Sequence, residues 1–221
     1  ADGSRYRGGW LRGKRHGRGV HVSADGATTY DGEWEADQRH GRGAVDVAGT
    51  SRFEGDFWRD APHGDGSLAL ASGGAISGRW HDGKVDTGRM TLTYPSGDVY
   101  TGAIRPALPA GAPAAAGAVG AVGGHEPHGR GAIAYAGGGG YDGEWEGGAP
   151  SGFGTFTWAD GDSYCGDVRG GAPRGEGALT YANGDVYRGE VAGRSRDGVG
   201  TCTYADGGSY AGSWRDDLWH T

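Results

Sequence analysis

Residues Tyr30–Gly43 read YDGEWEADQRHGRG, and residues Tyr141–Gly154 read YDGEWEGGAPSGFG. In both, an aromatic residue, a glycine two places on and a large residue four places on share one parity; the acidic residues between them share the other. A period of two marks a half-solvated β-strand, with Tyr141, Gly143 and Trp145 facing one way and Asp142 and Glu144 the other. Glycine ordinarily weakens a strand. Set between two aromatics, it lets a ring lie across the bare backbone.

The same opening recurs along the chain, at Tyr6, Tyr30, Phe53, Ile76, Tyr100, Tyr141, Tyr164, Tyr187 and Tyr210. Successive starts lie 23 or 24 residues apart, except for 41 after Tyr100. A fixed period of this length signals a repeat architecture. After the first strand, a tight turn is expected at the glycine-centred His16-Gly17, His40-Gly41, His63-Gly64 and His128-Gly129. A second alternating segment follows, such as GTFTW from Gly154, GALTY from Gly177 and GTCTY from Gly200. Phe156, Trp158 and Tyr181 face inward there, and the threonines between face out. The sequences ADGDSY and ANGDVY return the chain to the next strand, their Asp-Gly and Asn-Gly pairs suiting primed hairpin turns.

Each unit is thus one hairpin. The expected fold is all-β: an elongated, twisted, single-layer antiparallel meander of tandem 23-residue hairpins. Repeats 1–4 and the first strand of repeat 5 occupy residues 6–104. An Ala/Gly/Pro-rich loop fills 105–124. The rest of repeat 5, repeats 6–8 and a terminal strand fill 125–214, leaving 215–221 as a tail or cap. The Ile76 copy departs from the pattern, with one extra residue near Asp86-Thr87-Gly88 and Met90 where glycine usually sits, so a bulge or bend is expected there. The last strand, Tyr210 to Trp214, followed by Leu218 and Trp219, is an edge suited to assembly.

Composition sets the remaining bounds. Glycine supplies 51 of 221 residues, while eight Trp and eleven Tyr carry the order that the sparse aliphatics cannot. Cys165 and Cys202 give no disulfide framework, and no apolar run is long enough to span a membrane as a helix. The chain starts at Ala1 without an initiator Met, which leaves room for a longer protein around it. A net charge of −7 disfavours nucleic acid. The first repeat is the exception: Arg5, Arg7, Arg12, Lys14, Arg15 and Arg18 form a cluster able to meet an acidic partner. Histidines at equivalent turns of adjacent hairpins would stand about 10 Å apart, too far to share a metal ion. The carboxylates point outward with no cleft to tune them, so no catalytic residue, metal or cofactor is assigned.

The two quoted stretches closely resemble the membrane occupation and recognition nexus, or MORN, repeat. The resemblance covers nearly the whole chain outside the insertion and the final residues; copies from Tyr164 onward lose the fifth-position Trp and the His-Gly pair. It implies an elongated twisted antiparallel sheet and a groove, lined here by Tyr30, Trp34, Tyr141, Trp145, Phe156, Trp158 and Tyr181, that receives a peptide or helix. Intramolecular packing is the other role open to those rings. Members of the family occur in ciliary radial spokes and central-pair assemblies, parasite cytoskeletons, membrane junctions, and attached to enzymes. The expected function is a non-catalytic scaffold in a large cytoplasmic, cytoskeletal assembly, with the ciliary or flagellar axoneme favoured and edge-mediated self-association open. The alternatives are a phosphoinositide- or membrane-associating module, or the targeting region of a larger enzyme.

Overall fold

The computed structural model describes residues 2–107 and 121–220. They form strands and turns, with no helix among them: an open antiparallel meander of hairpins, as the alternating pattern implies. The chain divides into two compact units, Ala1–Pro95 and Ser96–Thr221. In the first unit, β1 (Arg5–Leu11), β2 (Lys14–Val22), β3 (Thr28–Glu35), β4 (Gln38–Val47), β5 (Ser51–Trp58), β6 (Ala61–Leu70), β7 (Ala75–His81) and β8 (Lys84–Thr93) pair in sequence order. In the second, the order runs through β9 (Val99–Pro106), β10 (His125–Ala134), β11 (Gly139–Glu146), β12 (Ala149–Trp158) and β13 (Ser163–Arg169). It continues with β14 (Ala172–Thr180), β15 (Val186–Ala192), β16 (Ser195–Thr203), β17 (Ser209–Arg215) and β18 (Leu218–His220).

The core is one device used repeatedly. Gly143 and Gly154 face each other across β11 and β12, and the Tyr141 ring lies over both. A Cβ on Gly154 would come within 2.3 Å of the Tyr141 hydroxyl, so neither glycine tolerates a side chain there. Tyr141 is 2% exposed, and its hydroxyl reaches the carbonyls of Glu144 and Ser151, both at 3.0 Å, sharing its single proton between them. Tryptophan then joins neighbouring hairpins. Trp145 meets the Tyr100 ring edge-on at 5.1 Å and donates its indole N–H to the Gly131 carbonyl at 2.8 Å. Trp34 repeats this against Tyr6 and Gly19, and Trp214 against Tyr187 and Gly200. A single layer thus seals its apolar face ring upon ring.

The His-Gly pairs do not make the hairpin turns that their sequence suggests. His16, Gly17, His40, Gly41, His63, Gly64, His128 and Gly129 lie within β2, β4, β6 and β10. Their glycines take positive φ (57° at Gly41) because each sits in a bulge: Gly32 pairs with Gly43 and Glu33 with His40, leaving Gly41 and Arg42 over. The primed two-residue turns come earlier, at Ala36-Asp37, Arg59-Asp60, Gly147-Gly148 and Asp216-Asp217, where both residues have positive φ. The Asp-Gly and Asn-Gly connections are of another kind. At Asp160-Gly161 only the glycine is left-handed; Gly161 donates to the Trp158 carbonyl and Trp158 to that of Asp162, both at 3.0 Å. That is a three-residue loop ending in a glycine bulge.

Two departures acquire a physical account. Bulges interrupt hairpins throughout, so one near Met90 is no exception, although four residues, Asp86–Arg89, are left over there instead of the three of the Phe53 hairpin. Ile76 carries no ring to cover its glycine; Met90 pairs with Gly78, is 1% exposed and fills that space instead. Pairing also continues beyond Trp214: Asp216-Asp217 turn the chain and β18 pairs with β17, so the last strand is Leu218–His220. Of the long connection, β9 extends to Pro106, Arg105 and Glu126 form an ion pair at 2.9 Å, and Ala107 donates to the Gly124 carbonyl. The expected loop's residues 108–120 lie outside the described residues.

Candidate protein-interaction surfaces

The aromatic face is largely closed. Tyr30, Trp34, Tyr141, Trp145 and Phe156 are buried, and only Trp158 and Tyr181 remain half-buried. The buried rings pack against one another, Tyr30 on Trp34 and Tyr141 on both Trp145 and Phe156. Arginine completes the cover: Arg15 lies 4.1 Å over Trp34, Arg194 4.4 Å over Trp158 and Arg196 4.2 Å over Trp214. Burial pushes the phenols of Tyr100, Tyr141, Tyr164, Tyr181 and Tyr187 up to about 12.

Arg15 also has a role that its basic neighbourhood hides. Its backbone N–H donates to Asp37 Oδ1 at 2.8 Å and its guanidinium to the Asp37 carbonyl at 2.8 Å, while Asp37 N–H donates back to the Arg15 carbonyl. The hydrogen bond from the Arg15 backbone holds the Asp37 carboxyl below its ordinary range. Arg39 with Asp60, and Arg196 with Asp217, repeat the latch, tying one hairpin's second strand to the next hairpin's turn. Arg15 is therefore committed within the fold. Arg5, Arg7, Arg12, Lys14 and Arg18 are exposed.

The signal for these latches was available in the sequence as arginine at 15, 39 and 196 recurring one hairpin before Asp37, Asp60 and Asp217. A second brace was equally hidden. Glu33 accepts the Arg42 backbone N–H at 3.1 Å, and Asp56 that of Asp65 at 3.3 Å, so the fourth-position acid supports the bulge across from it.

The histidines line the same region of the sheet without converging. The His40 ring packs 4.6 Å from Trp58, with Nδ1 3.3 Å from Glu35; His63 packs 4.7 Å from His81 and lies 3.3 Å from Asp82. Among the described residues no three His, Cys, Asp or Glu side chains are grouped to hold a metal ion. Nδ1 of His128 is buried without a hydrogen-bond partner among the described residues. On the outer face of the first unit, Arg18, Asp31, Arg42, Asp46, Arg52 and Glu54 surround a shallow hollow of ≈ 460 Å³, open to solvent.

Several large apolar side chains also stay exposed, scattered over both faces. Trp10, Leu11, Trp58, Phe153, Val199, Leu218 and Trp219 are between 46% and 71% exposed. Within the C-terminal group Trp214 is buried, and Trp219, paired with it and stacked on Tyr210 at 5.2 Å, lies exposed on the ring face, whereas Leu218 is exposed on the outer face. Cys165 is exposed on the outer face and Cys202 is buried.

These features define a tandem β-hairpin repeat protein whose rings are spent on internal cohesion and whose surface is open. The MORN repeat model matches residues 6–28, 30–44, 53–75, 141–163, 164–186 and 187–209, more than half of the chain, which belongs to the MORN repeat family. No curated protein sequence matches it. Among solved structures it is similar in fold to the TCP10 domain of Danio rerio CPAP, at 14% identity and a TM-score of 0.50, covering 94% of this chain and 88% of that one. The same domain in complex with a peptide of Danio rerio STIL matches at 14% identity, TM-score 0.42, over 91% and 88%. The SAS-4 TCP domain of Drosophila melanogaster, in complex with a proline-rich motif of Ana2, matches at 8%, TM-score 0.36, over 94% of each.

Proposed function

We propose that this chain is a non-catalytic scaffold that holds other proteins within a cytoskeletal assembly, the ciliary or flagellar axoneme in particular. The observation that carries this reading is the division of labour between faces. The aromatic side is largely sealed by its own rings, with Trp10 of β1 and Trp219 of β18 left exposed on it, and Trp58 and Phe153 stand exposed on the outer face. An open sheet with dispersed anchors offers partners area, not an enclosed pocket. The axonemal placement draws on the family's frequent ciliary use, an analogy of fold. Proximity labelling of the tagged chain in its native cell is expected to mark axonemal components; labelling confined to membrane-contact proteins would overturn the placement.

A second reading has its own observation. Arg5, Arg7, Arg12, Lys14 and Arg18 are exposed together in the first repeat and would suit anionic lipid. Co-sedimentation with phosphoinositide vesicles that disappears when these five are neutralised would favour it over the scaffold.

A further inference from the structure

One position of the repeat separates the two units. The residue between the glycines of the bulge points away from the rings, and in most hairpins it is charged: Arg18, Arg42, Asp65, Arg130 and Glu176. In β12 and β16 it is Phe153, 55% exposed, and Val199, 63% exposed. Single exposed apolar residues are ordinary. Two at the same repeat position, on one face and four strands apart, are less so.

Pairing shows what lies between them. Phe153 pairs with Asp167, Glu176 pairs with Glu190, and the Glu190 carboxylate accepts the Val199 backbone N–H at 3.5 Å. Strand by strand, the outer face therefore reads Phe153, Asp167, Glu176, Glu190, Val199. None of the three acids has an ion-pair partner among the described residues. Glu176 opposite Glu190 is a like-charge pair, an arrangement that costs stability in a sheet. The neighbouring outward lane reads Thr155, Cys165, Ala178, Arg188 and Thr201; it is low up to β14, and Arg188 is its one charge. Residues from Ser96 onward hold 8 Lys and Arg against 15 Asp and Glu, a surplus of 7 acids.

We infer that this row is the docking surface for a basic segment of a partner protein, carried by two apolar side chains that flank its positive charges. The occupant follows from charge and length. Four strand spacings of about 4.8 Å place Phe153 and Val199 roughly 19 Å apart, which an extended chain covers in about six residues. Apolar residues at positions 1 and 7 with Lys or Arg at 3 and 5 then share one face of that chain. The proposal gives the scaffold one surface and one partner class, and rests on that reading.

The probe is the peptide Leu-Thr-Lys-Thr-Lys-Thr-Leu, capped at both ends, offered to the whole chain. Affinity is read by calorimetry, and surface coverage by the alkylation rate of Cys165, with buried Cys202 reporting any unfolding. The peptide is expected to bind, to slow Cys165 alkylation, and to bind about tenfold more weakly to Phe153→Ser/Val199→Ser and to Glu176→Gln/Glu190→Gln. Serine and glutamine suit an outward position, so circular dichroism of both variants should match the parent. Absence of binding would overturn the proposal. Equal affinity for either variant, or for a peptide with Ala in place of Leu, would do the same by reducing the effect to general attraction. Proximity labelling that still marks axonemal proteins after such a failure would leave the scaffold standing and remove only this surface.

Discussion

The two units share an interior and differ in charge. Through Pro95 the chain holds 13 Lys and Arg against 13 Asp and Glu, so the whole net charge of −7 belongs to Ser96–Thr221. The first unit neutralises itself locally, through Arg42 with Asp56, Arg52 with Asp46, and the latches of Arg15 and Arg39. The second leaves Asp167, Glu176 and Glu190 without an ion pair among the described residues and, at Pro127, Pro150 and Pro173, keeps only the backbone half of the latch, a carbonyl accepting the next turn's N–H at 2.9–3.2 Å. Cohesion in this repeat therefore does not depend on the arginine. The turn-to-turn hydrogen bond is the common element, and side chains on it are free to vary with the surface.

The covering ring differs too, and this gives the largest effect. The first unit uses Tyr6, Tyr30, Phe53 and Ile76 at that place; the second uses Tyr100, Tyr141, Tyr164, Tyr187 and Tyr210. Four of the latter, and Tyr181, have phenols pushed up to about 12 by burial, against two raised phenols, Tyr6 and Tyr30, in the first unit. A phenol in the unfolded chain ionises near 10. Folded-state values above the unfolded one mean that the stability from these groups is intact below pH 10 and is lost as pH rises from 10 towards 12. Each group withdraws up to about 1.4 kcal/mol per pH unit across that window. The second unit should open first in alkali. Hydrogen exchange read by mass spectrometry from pH 9 to 11.5 checks this, and protection lost first before Pro95 would break the comparison.

Ile76 and Met90 supply the next test, because they solve the ring problem differently. Met90→Gly removes a buried side chain and should cost about 3 kcal/mol. Ile76→Tyr alone drives a ring into the methionine and should cost a similar amount. Together they restore the tyrosine-over-two-glycines arrangement of the other hairpins. The double variant is expected to recover at least about 1 kcal/mol over the sum of the singles in urea unfolding. Strict additivity would show that ring and glycine pair are not one unit.

At Arg196, replacement by lysine keeps the charge and loses the planar fork that both stacks on Trp214 and reaches Asp217. A loss of about 1 kcal/mol is expected in the unfolding midpoint, with the Cys202 thiol becoming easier to alkylate. The same change at Arg194, which bonds Asp160 and Asp162 from a more exposed position, should cost less.

Much of this was legible in the sequence. The alternation of YDGEW and GTFTW fixed strand and face, and the Gly-Gly facing pair follows from the same parity. The turns were not. Ala36, Asp37, Arg59 and Asp60 take positive φ without a glycine to announce it, whereas the conspicuous His-Gly pairs mark bulges, which ask the same φ of a glycine as a turn does. The latches were hidden because Arg39 and Asp60 are 21 residues apart and meet only once hairpins stack. The closed state of the aromatic face was illegible for another reason. Sequence parity says which side a ring faces, and only packing says whether Trp145 reaches the Tyr100 of the hairpin before it.

Salt gives the smallest effect and the cleanest sign. Between Ser96 and Thr221 the unpaired acids repel one another, most directly at Glu176 and Glu190, so screening should stabilise that unit. Before Pro95, charges of both signs are present in equal number and several are already paired, so screening removes attraction and repulsion alike. Raising sodium chloride from 0.02 to about 0.5 M shortens the Debye length several-fold and should add a few tenths of a kcal/mol to the second unit, with little change in the first. Exchange protection followed separately in the two segments distinguishes them. If Glu176→Gln/Glu190→Gln abolishes the salt response, the repulsion is located in the acidic row that the basic segment would neutralise; a response left intact would place it elsewhere among the unit's acids.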